Sequence, residues 1–563
     1  MRIERCLLSA VGLGILGSAL AQFPGPAPLA WRWAQSTAVS PVGSPLVSGD
    51  VVYVAVGTRM YALDRATGNQ KWKYPLAEGI PGNFRSGALL AEGTVIAAAD
   101  NKIVYGVDAN TGERKWTHPF TVPIVGQPVL AGNIVVVRLN DNTLMGIRAD
   151  SGLSEWKAPS GDEMPYKVYD GIDGDLGVHG TTILFATQAG ELQAISATTR
   201  KQLWKAKFST VTPGAVPIIF GDTAYMNSGT WLVAVNALSG GGRWQQNIGE
   251  PLAFSPAVSS EGVFVVTADG KGLLFDQATG RPKLKKPINL GSVLAVRPSA
   301  IDKQFLAPLT SGALTLINPS NGEFSWSYLV RPLNKTTGSS TTTTGGGGRP
   351  GGGLGAPGGL GGPGGLGGPG RGGGGLAGGG GGTTGEQTAP VAVPASGPGV
   401  LAGQTLLIVI QDGSLLAFDK DLGVDKTGPS IKMVWPNAGD QVSGQPPLEL
   451  IFKIDDEATG VSSKTVAVKV DGQDMEVEYG RDGFAIVKIS PYTKNKPLAD
   501  GRKSIKVSAS DWFGNASTME YGLTVDNALA PLARVTTNSN NQAGNPGGGR
   551  PGGGRGGGGG IGR

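Results

Sequence analysis

Cysteine is nearly absent: the 563 residues contain one, Cys6. That excludes a disulfide framework, a thiolate metal centre and a Cys-x-x-Cys-His haem attachment. Histidine is almost as scarce, with His118 and His179 in unlike contexts. Imidazole-based metal ligation or acid–base catalysis therefore has few donors. Charged residues make up 16% of the chain and the net charge is +5. No basic stripe with interleaved aromatics appears, so no nucleic acid partner is expected. Gly-x-Ser-x-Gly, His-Glu-x-x-His and P-loop motifs are missing too. The one long apolar run, Leu7 to Leu20, is short for a membrane span. With Arg2 and Arg5 ahead of it and Ala19-Leu20-Ala21 behind, it reads as a signal peptide cut before Gln22. Cys6 would leave with that peptide, taking any thiol or lipidation site with it. The expected product is secreted, periplasmic or at the cell surface, with no spanning segment after cleavage.

What the chain does have is an internal repeat. The clearest copies are Asp64 to Trp72 (DRATGNQKW) and Asp108 to Trp116 (DANTGERKW). Both read Asp, two residues, Thr-Gly, three residues, Trp, with Gly68 and Gly112 at the glycine position. Further copies end at Trp156, Trp204, Trp244, Leu284 and Trp326, and an eighth runs from Asp419 to Thr427. The first seven end positions lie 44, 40, 48, 40, 40 and 42 residues apart. Each copy follows an apolar run such as Val51 to Val56 and a strand such as Arg59 to Leu63. A period near forty with a strand on each side of a tight turn is the signature of a β-propeller. Asp caps the turn's N–H groups, Gly takes a positive φ, and Trp packs between blades.

The eighth copy ends without a tryptophan, and the missing strand is sought at the other terminus. Trp33 lies 12 residues before Pro45, as Trp116 does before Pro128 and Trp244 before Pro256. That spacing predicts that Leu29 to Trp33 forms the outer strand of the last blade, with Trp33 as its wedge. The expected fold is all-β: an eight-bladed propeller whose first and last strands pair, leaving no open edges, plus a β-sandwich.

The repeat resembles that of the pyrroloquinoline-quinone-type (quinoprotein) propeller superfamily, over residues 29–333 and 396–427. The superfamily includes quinoprotein alcohol dehydrogenases and the propeller lipoprotein of the outer-membrane β-barrel assembly machinery. The resemblance implies the fold and leaves the activity open. A dehydrogenase of this kind implies a metal-bound quinone, an Asp base and, in many members, two adjacent cysteines. The mature chain would have no cysteine, so neither a cofactor nor an enzyme activity is expected.

The remaining segments divide as follows. Residues 1–21 form the signal peptide, 22–333 the closing strand and seven blades, and 396–427 the eighth blade. Between them, 334–395 is a Thr/Ser- then Gly-rich insertion whose composition cannot support a core. It falls in one inter-blade connection, where added length costs little entropy. Residues 428–527 hold several short alternating strands and an Asp471-Gly472 hairpin signal. Their pattern (IDDEATGV, VKVDG, SASDWFGN) resembles bacterial immunoglobulin-like modules. Residues 528–563 form a Gly/Arg/Pro tail.

The most suggestive polar loop is Tyr169 to Asp175, in a blade-three-to-four connection about eight residues longer than its counterpart. Asp170, Asp173 and Asp175 are candidate Ca²⁺ ligands, although their spacing is not that of an EF-hand. Asp455-Asp456-Glu457 reads as a turn at a sandwich edge. The favoured function is a non-catalytic scaffold binding an envelope protein or polysaccharide. An outer-membrane assembly role and a quinone-dependent dehydrogenase are the alternatives, and the oligomeric state stays open.

Overall fold

The computed structural model describes residues 23, 25–208, 216–333 and 393–531. The signal segment, the Gly-rich insertion up to residue 392 and the Gly/Arg/Pro tail from residue 532 lie outside the described residues. The chain forms two compact units. The first comprises Met1–Thr427 together with Asp456–Val461 and Asp511–Phe513. The second comprises Gly428–Asp455, Ser462–Ser510 and the chain from Gly514 onward. Two short segments far along the chain thus belong to the first unit, which a single cut at Thr427 does not capture.

The first unit is the eight-bladed propeller. Seven sheets are four-stranded meanders of consecutive strands. The first runs Leu46–Ser48, Val51–Val56, Arg59–Asp64, Gln70–Tyr74. The middle strands are buried on both faces because each blade is covered by a neighbour on either side. Val52 to Val56 and Met60 to Leu63 are all buried. This is why they read as unbroken apolar runs. The outer strands show one buried residue in two, as at Lys71, Trp72 and Lys73.

The eighth sheet is assembled from both ends of the unit. Its order is Leu29–Ala34, Ser414–Phe418, Thr405–Val409, Val400–Ala402. The closing strand pairs antiparallel, with Trp31 opposite Ala417 and Trp33 opposite Leu415. Arg32 clamps it further, pairing with Asp412 at 2.8 Å and donating to the Arg331 carbonyl at 2.8 Å. Blade seven ends with the strand Phe324–Leu329 and blade eight opens at Val400–Ala402. The segment from 334 to 392 therefore lies in one connection within the ring.

The second unit has two sheets. One orders Ser430–Trp435, Leu448–Asp455, Phe484–Ile489 and Glu478–Tyr479. The other orders Gln441–Val442, Ala516–Val525, Gly501–Ser510, Ala467–Val470 and Gln473–Met475. Phe452 and Tyr521, one from each sheet, pack with ring centroids 6.1 Å apart. Asp471 and Gly472 both take positive φ, +48° and +82°, between the paired Val470 and Gln473. That is the two-residue hairpin turn their sequence predicts.

Candidate functional site

The repeated residues build the seams between blades. Asp64 Oδ1 accepts the N–H groups of Ala66 and Thr67 at 3.1 Å and the Thr67 hydroxyl at 3.0 Å. The Thr67 hydroxyl bond is the largest cause holding the Asp64 carboxyl below its usual range. Asp108 repeats the arrangement with Asn110 and Thr111, at 2.9 and 3.0 Å. Each tryptophan then reaches into the turn of the next blade. The Trp72 indole N–H donates to the Ala109 carbonyl at 2.9 Å, Trp116 to Ala149 at 3.2 Å and Trp156 to Ala197 at 2.7 Å. Trp204 and Trp244 do the same to Ala237 and Gln277, at 3.1 and 3.0 Å. Gly112 has φ +77°, and a Cβ there would stand 2.8 Å from the Trp72 ring. Glycine is thus required twice over, for backbone conformation and for the indole's approach.

The closing strand supplies the matching wedge, but from a different residue than the spacing predicts. Trp31, not Trp33, donates to the Arg65 carbonyl at 3.0 Å and covers Gly68. Trp33 instead meets Tyr61 edge-on, with centroids 4.7 Å apart. The irregularity between Leu29 and Trp31 is the one that immediately precedes Trp72, Trp116, Trp204, Trp244 and Trp326 in their strands, so it marks Trp31 as the wedge. What shifts the position is the connection from wedge to next inner strand, which is two residues longer here, so counting back from Pro45 does not locate the ring.

At the seventh seam the acceptor changes. The fully buried Trp326 donates to the Thr459 carbonyl at 2.8 Å. Thr459 lies in Asp456 to Gly460, itself an Asp-x-x-Thr-Gly turn belonging to the first unit. Asp456 Oδ1 accepts the N–H groups of Ala458, Thr459 and Gly460 at 3.2, 2.8 and 2.7 Å. The acidic stretch read as a plain turn is a ninth copy of the motif's turn.

The Ca²⁺ candidates separate. Among the described residues, the one trio of carboxylates close enough to share a metal is Asp425, Asp456 and Asp511, with oxygens within 4.8 Å. Asp170, Asp173 and Asp175 do not converge. The eight extra residues fall earlier than the loop reading placed them. They make a tight turn in which Lys157 bridges Glu163, after which the strand Tyr166–Lys167 resumes the blade. Arg200, standing where the motif's glycine would be, anchors that turn through the Met164 and Lys157 carbonyls at 3.0 and 3.3 Å. Asp173 and Asp175 lie within the strand Ile172–His179 and only Asp170 precedes it. The histidines are also apart: His118 Nδ1 lies 2.7 Å from the Gly152 carbonyl, and His179 Nε2 lies 3.1 Å from Asp222.

Asp175 lies instead in the irregular stretch of its inner strand, between the paired Asp173 and Gly177. It matches Gly87, Gln127, Val216, Ser255 and Arg297, which stand two residues before the inner-strand ladder in blades two, three, five, six and seven, as Asp175 stands two before Gly177, where its own regular ladder resumes. Neighbouring members touch: Gln127 N–H donates to Asp175 Oδ1 at 3.3 Å, and Val216 N–H to Ser255 Oγ at 2.6 Å. Burial pushes the Asp175 carboxyl up, opposed by its Gln127 bond and the charges of Arg138 and Arg297. Arg138 donates to the Gly174 and Ile172 carbonyls, the latter at 2.8 Å, and its Nε is buried without a partner. Arg138 and Arg297 escaped the sequence reading because the three groups are brought together only by the ring. Aligning every blade on its inner strand would have exposed Arg297, whereas Arg138 ends the second strand of its blade.

An eight-bladed ring with Asp-x-x-Thr-Gly turns and tryptophan seams defines a propeller of the pyrroloquinoline-quinone type. Within that class the chain belongs to the outer membrane protein assembly factor BamB family, whose profile matches residues 28–84, 77–191 and 188–345. A relative, outer membrane protein assembly factor BamB of Pseudomonas aeruginosa, is 26% identical over 171 residues. The match spans 29% of this chain and 44% of that relative, so the chain aligns with under half of the relative's length. BamB from Moraxella catarrhalis is similar in structure, with a TM-score of 0.48 and 13% identity over 69% of this chain and 97% of its own. A europium-containing methanol dehydrogenase gives a TM-score of 0.41 and 13% identity, over 54% and 80% of the two chains.

Proposed function

We propose that the protein is a non-catalytic, exported scaffold of the cell envelope that binds protein partners in the manner of an outer-membrane assembly factor. The observation that carries this reading is the use made of the repeated polar groups. The motif carboxylates cap backbone N–H groups and the indoles bond backbone carbonyls across seams. Groups so engaged stabilise the ring and are withheld from substrate chemistry. Membership of the assembly factor family supports the choice of protein partners over polysaccharide. Among the described residues no helix is long and apolar enough to cross a membrane. In this reading residues 1–21 direct export, and residues 428–527, apart from Asp456–Val461 and Asp511–Phe513, form an appended immunoglobulin-like module.

The test is affinity capture with the full chain from detergent-solubilised envelope fractions. Components of the β-barrel assembly machinery should be enriched over a blade-sized control bait. Capture of polysaccharide without protein, or of neither, overturns the proposal. The non-catalytic part has its own check. Adding pyrroloquinoline quinone and Ca²⁺ should give no alcohol- or sugar-dependent dye reduction, and saturable reduction would refute it.

A further inference from the structure

We propose that the ring is held closed by a clasp from beyond its last blade. The 456–460 turn and Trp512 join blade seven to the closing strand, and drawing them away opens the propeller at that one seam. The scaffold role does not depend on the clasp, nor the clasp on that role.

The need for a clasp arises in blade eight itself. In five motif turns a glycine at positive φ lies against an indole: Gly68, Gly112, Gly152, Gly240 and Gly280. There the chain doubles back through the glycine into the outer strand of the same blade. Blade eight has no such return, because its outer strand is Leu29–Ala34, from the other end of the ring. Gly423 accordingly is not left-handed, and a Cβ there would meet Pro28 at 2.7 Å rather than a tryptophan. The Pro28 carbonyl also takes the Asp419 N–H, at 3.1 Å. Trp326 of blade seven is thus left without the seat its counterparts have, although it is fully buried. A buried donor without an acceptor is costly, so the seat must come from elsewhere.

The 456–460 turn supplies it. Its Gly460 has the positive φ that Gly423 lacks, +87°. Three consecutive carbonyls of the turn face the ring. Glu457 accepts the Tyr328 hydroxyl at 3.0 Å, Ala458 the Leu29 N–H at 2.8 Å and Thr459 the Trp326 indole at 2.8 Å. The outer two hold blade seven, and the middle one holds the first residue of the closing strand. The Thr459 hydroxyl donates to Asp425, in the last residues of blade eight. The Trp512 indole donates to the Ser327 carbonyl on the outer strand of blade seven, at 3.0 Å. All these residues belong to one compact unit. Apolar burial converges on the same place. Phe23 and Ala27, ahead of the closing strand, are buried in one cluster with Trp326, Tyr328 and Phe418, and Trp512 packs against it. Both ends of the ring therefore meet on chain that follows it, and bonds that share one short turn are coupled.

Hydrogen exchange read by mass spectrometry on the purified full chain tests the clasp. Gly460→Ala displaces the turn, because at that left-handed φ a Cβ would stand 2.6 Å from the Ser327 carbonyl oxygen. Exchange should rise at least about ten-fold in Leu29–Ala34, Ser414–Phe418 and Phe324–Leu329, the effect of losing one or two hydrogen bonds. Rates in blades two to five should stay as they are. Gly439→Ala is the control, with φ +90° and nothing within 4 Å of the added carbon, and it should leave the closing strand unchanged. Should Gly460→Ala misfold by circular dichroism, Trp326→Phe and Trp512→Phe serve, each removing one N–H donor. The same three strands should then exchange about two- to ten-fold faster. A rise confined to Asp456–Val461, an equal rise in every blade, or no rise anywhere overturns the proposal.

Discussion

Gly68→Ala tests the physics of the blade seams at the point where the ring closes. The cost has two parts that can be separated. Gly68 sits at φ +71°, and a Cβ there would lie 2.7 Å from the Trp31 ring. Left-handed backbone costs a residue with a Cβ about 1–2 kcal/mol. Forcing extra volume into a packed contact costs about 1–3 kcal/mol. The sum is about 2–5 kcal/mol. Gly49→Ala is the control, because Gly49 has φ +57° with nothing within 4 Å of the added carbon. It should cost only the backbone part, about 1–2 kcal/mol. Trp31→Ala by itself should cost about 3 kcal/mol, the low end for a large ring, since Trp31 is half-buried. In a Trp31→Ala background the clash is gone, so Gly68→Ala should fall to the Gly49→Ala value. The double-mutant coupling is then about 1–3 kcal/mol, of the sign that marks relief. Urea denaturation followed by far-ultraviolet circular dichroism reads the wild type and every variant without relying on tryptophan fluorescence. If Gly68→Ala costs no more than Gly49→Ala, or if Trp33→Ala relieves it as well as Trp31→Ala does, the assignment of the closing wedge is wrong.

Three further predictions follow from the same geometry. The Asp64, Asp108 and Asp276 carboxyls are held below the ordinary value of 3.8 by turn hydrogen bonds. Their stabilisation is therefore complete above that value and lost as pH falls from it through the lower folded-state value; Asp64→Asn keeps an acceptor and should make the fall in urea midpoint below about pH 5 shallower. Asp456 is the opposite case, with a carboxyl raised by burial, so its charged form is a burden that grows as pH rises through the folded value. Asp456→Ala, which leaves three N–H groups unmet, should cost about 1–3 kcal/mol, and Asp456→Asn clearly less; equal damage from both would show that the negative charge itself is needed. Burial pushes the Tyr328 hydroxyl up to about 12, while it donates to the Glu457 carbonyl at 3.0 Å. Stability from that proton is present below about pH 10 and lost as pH climbs toward the folded value, so Tyr328→Phe should flatten the alkaline decline in melting temperature, and an unchanged slope would contradict it.

The legible parts of the fold are those whose causes are local. An Asp that caps N–H groups two and three residues on, and a Gly at positive φ, are complete within five positions, so each turn announces itself. The middle strands were readable because burial on both faces leaves only apolar side chains. Asp471-Gly472 was readable because both residues must take positive φ. Leu284 could be recognised as a degenerate wedge, and the added Cβ at Gly322 would indeed meet it, at 2.9 Å. The closing wedge was harder. Its strand was placed correctly and its tryptophan by two residues wrongly, because the connection after this wedge is two residues longer than those used for the count, and nothing local in the sequence reports that length. The candidate site was hardly legible at all. Asp175 was singled out for the company of Asp170 and Asp173, which lie near in sequence, whereas its partners are Arg138 and Arg297.

By itself, then, the sequence determined the repeat, the all-β ring, its closure by the first strand and the placing of the long insertion inside one connection. These follow from short-range hydrogen bonding and from periodic burial, both of which are written in neighbouring residues. Tertiary structure alone decided which tryptophan closes the ring, that Asp456 to Gly460 receives Trp326, and which charged groups act on Asp175. Those outcomes depend on blades brought side by side around an axis, where residues distant along the chain occupy one layer and a shift of two residues moves a ring to another partner.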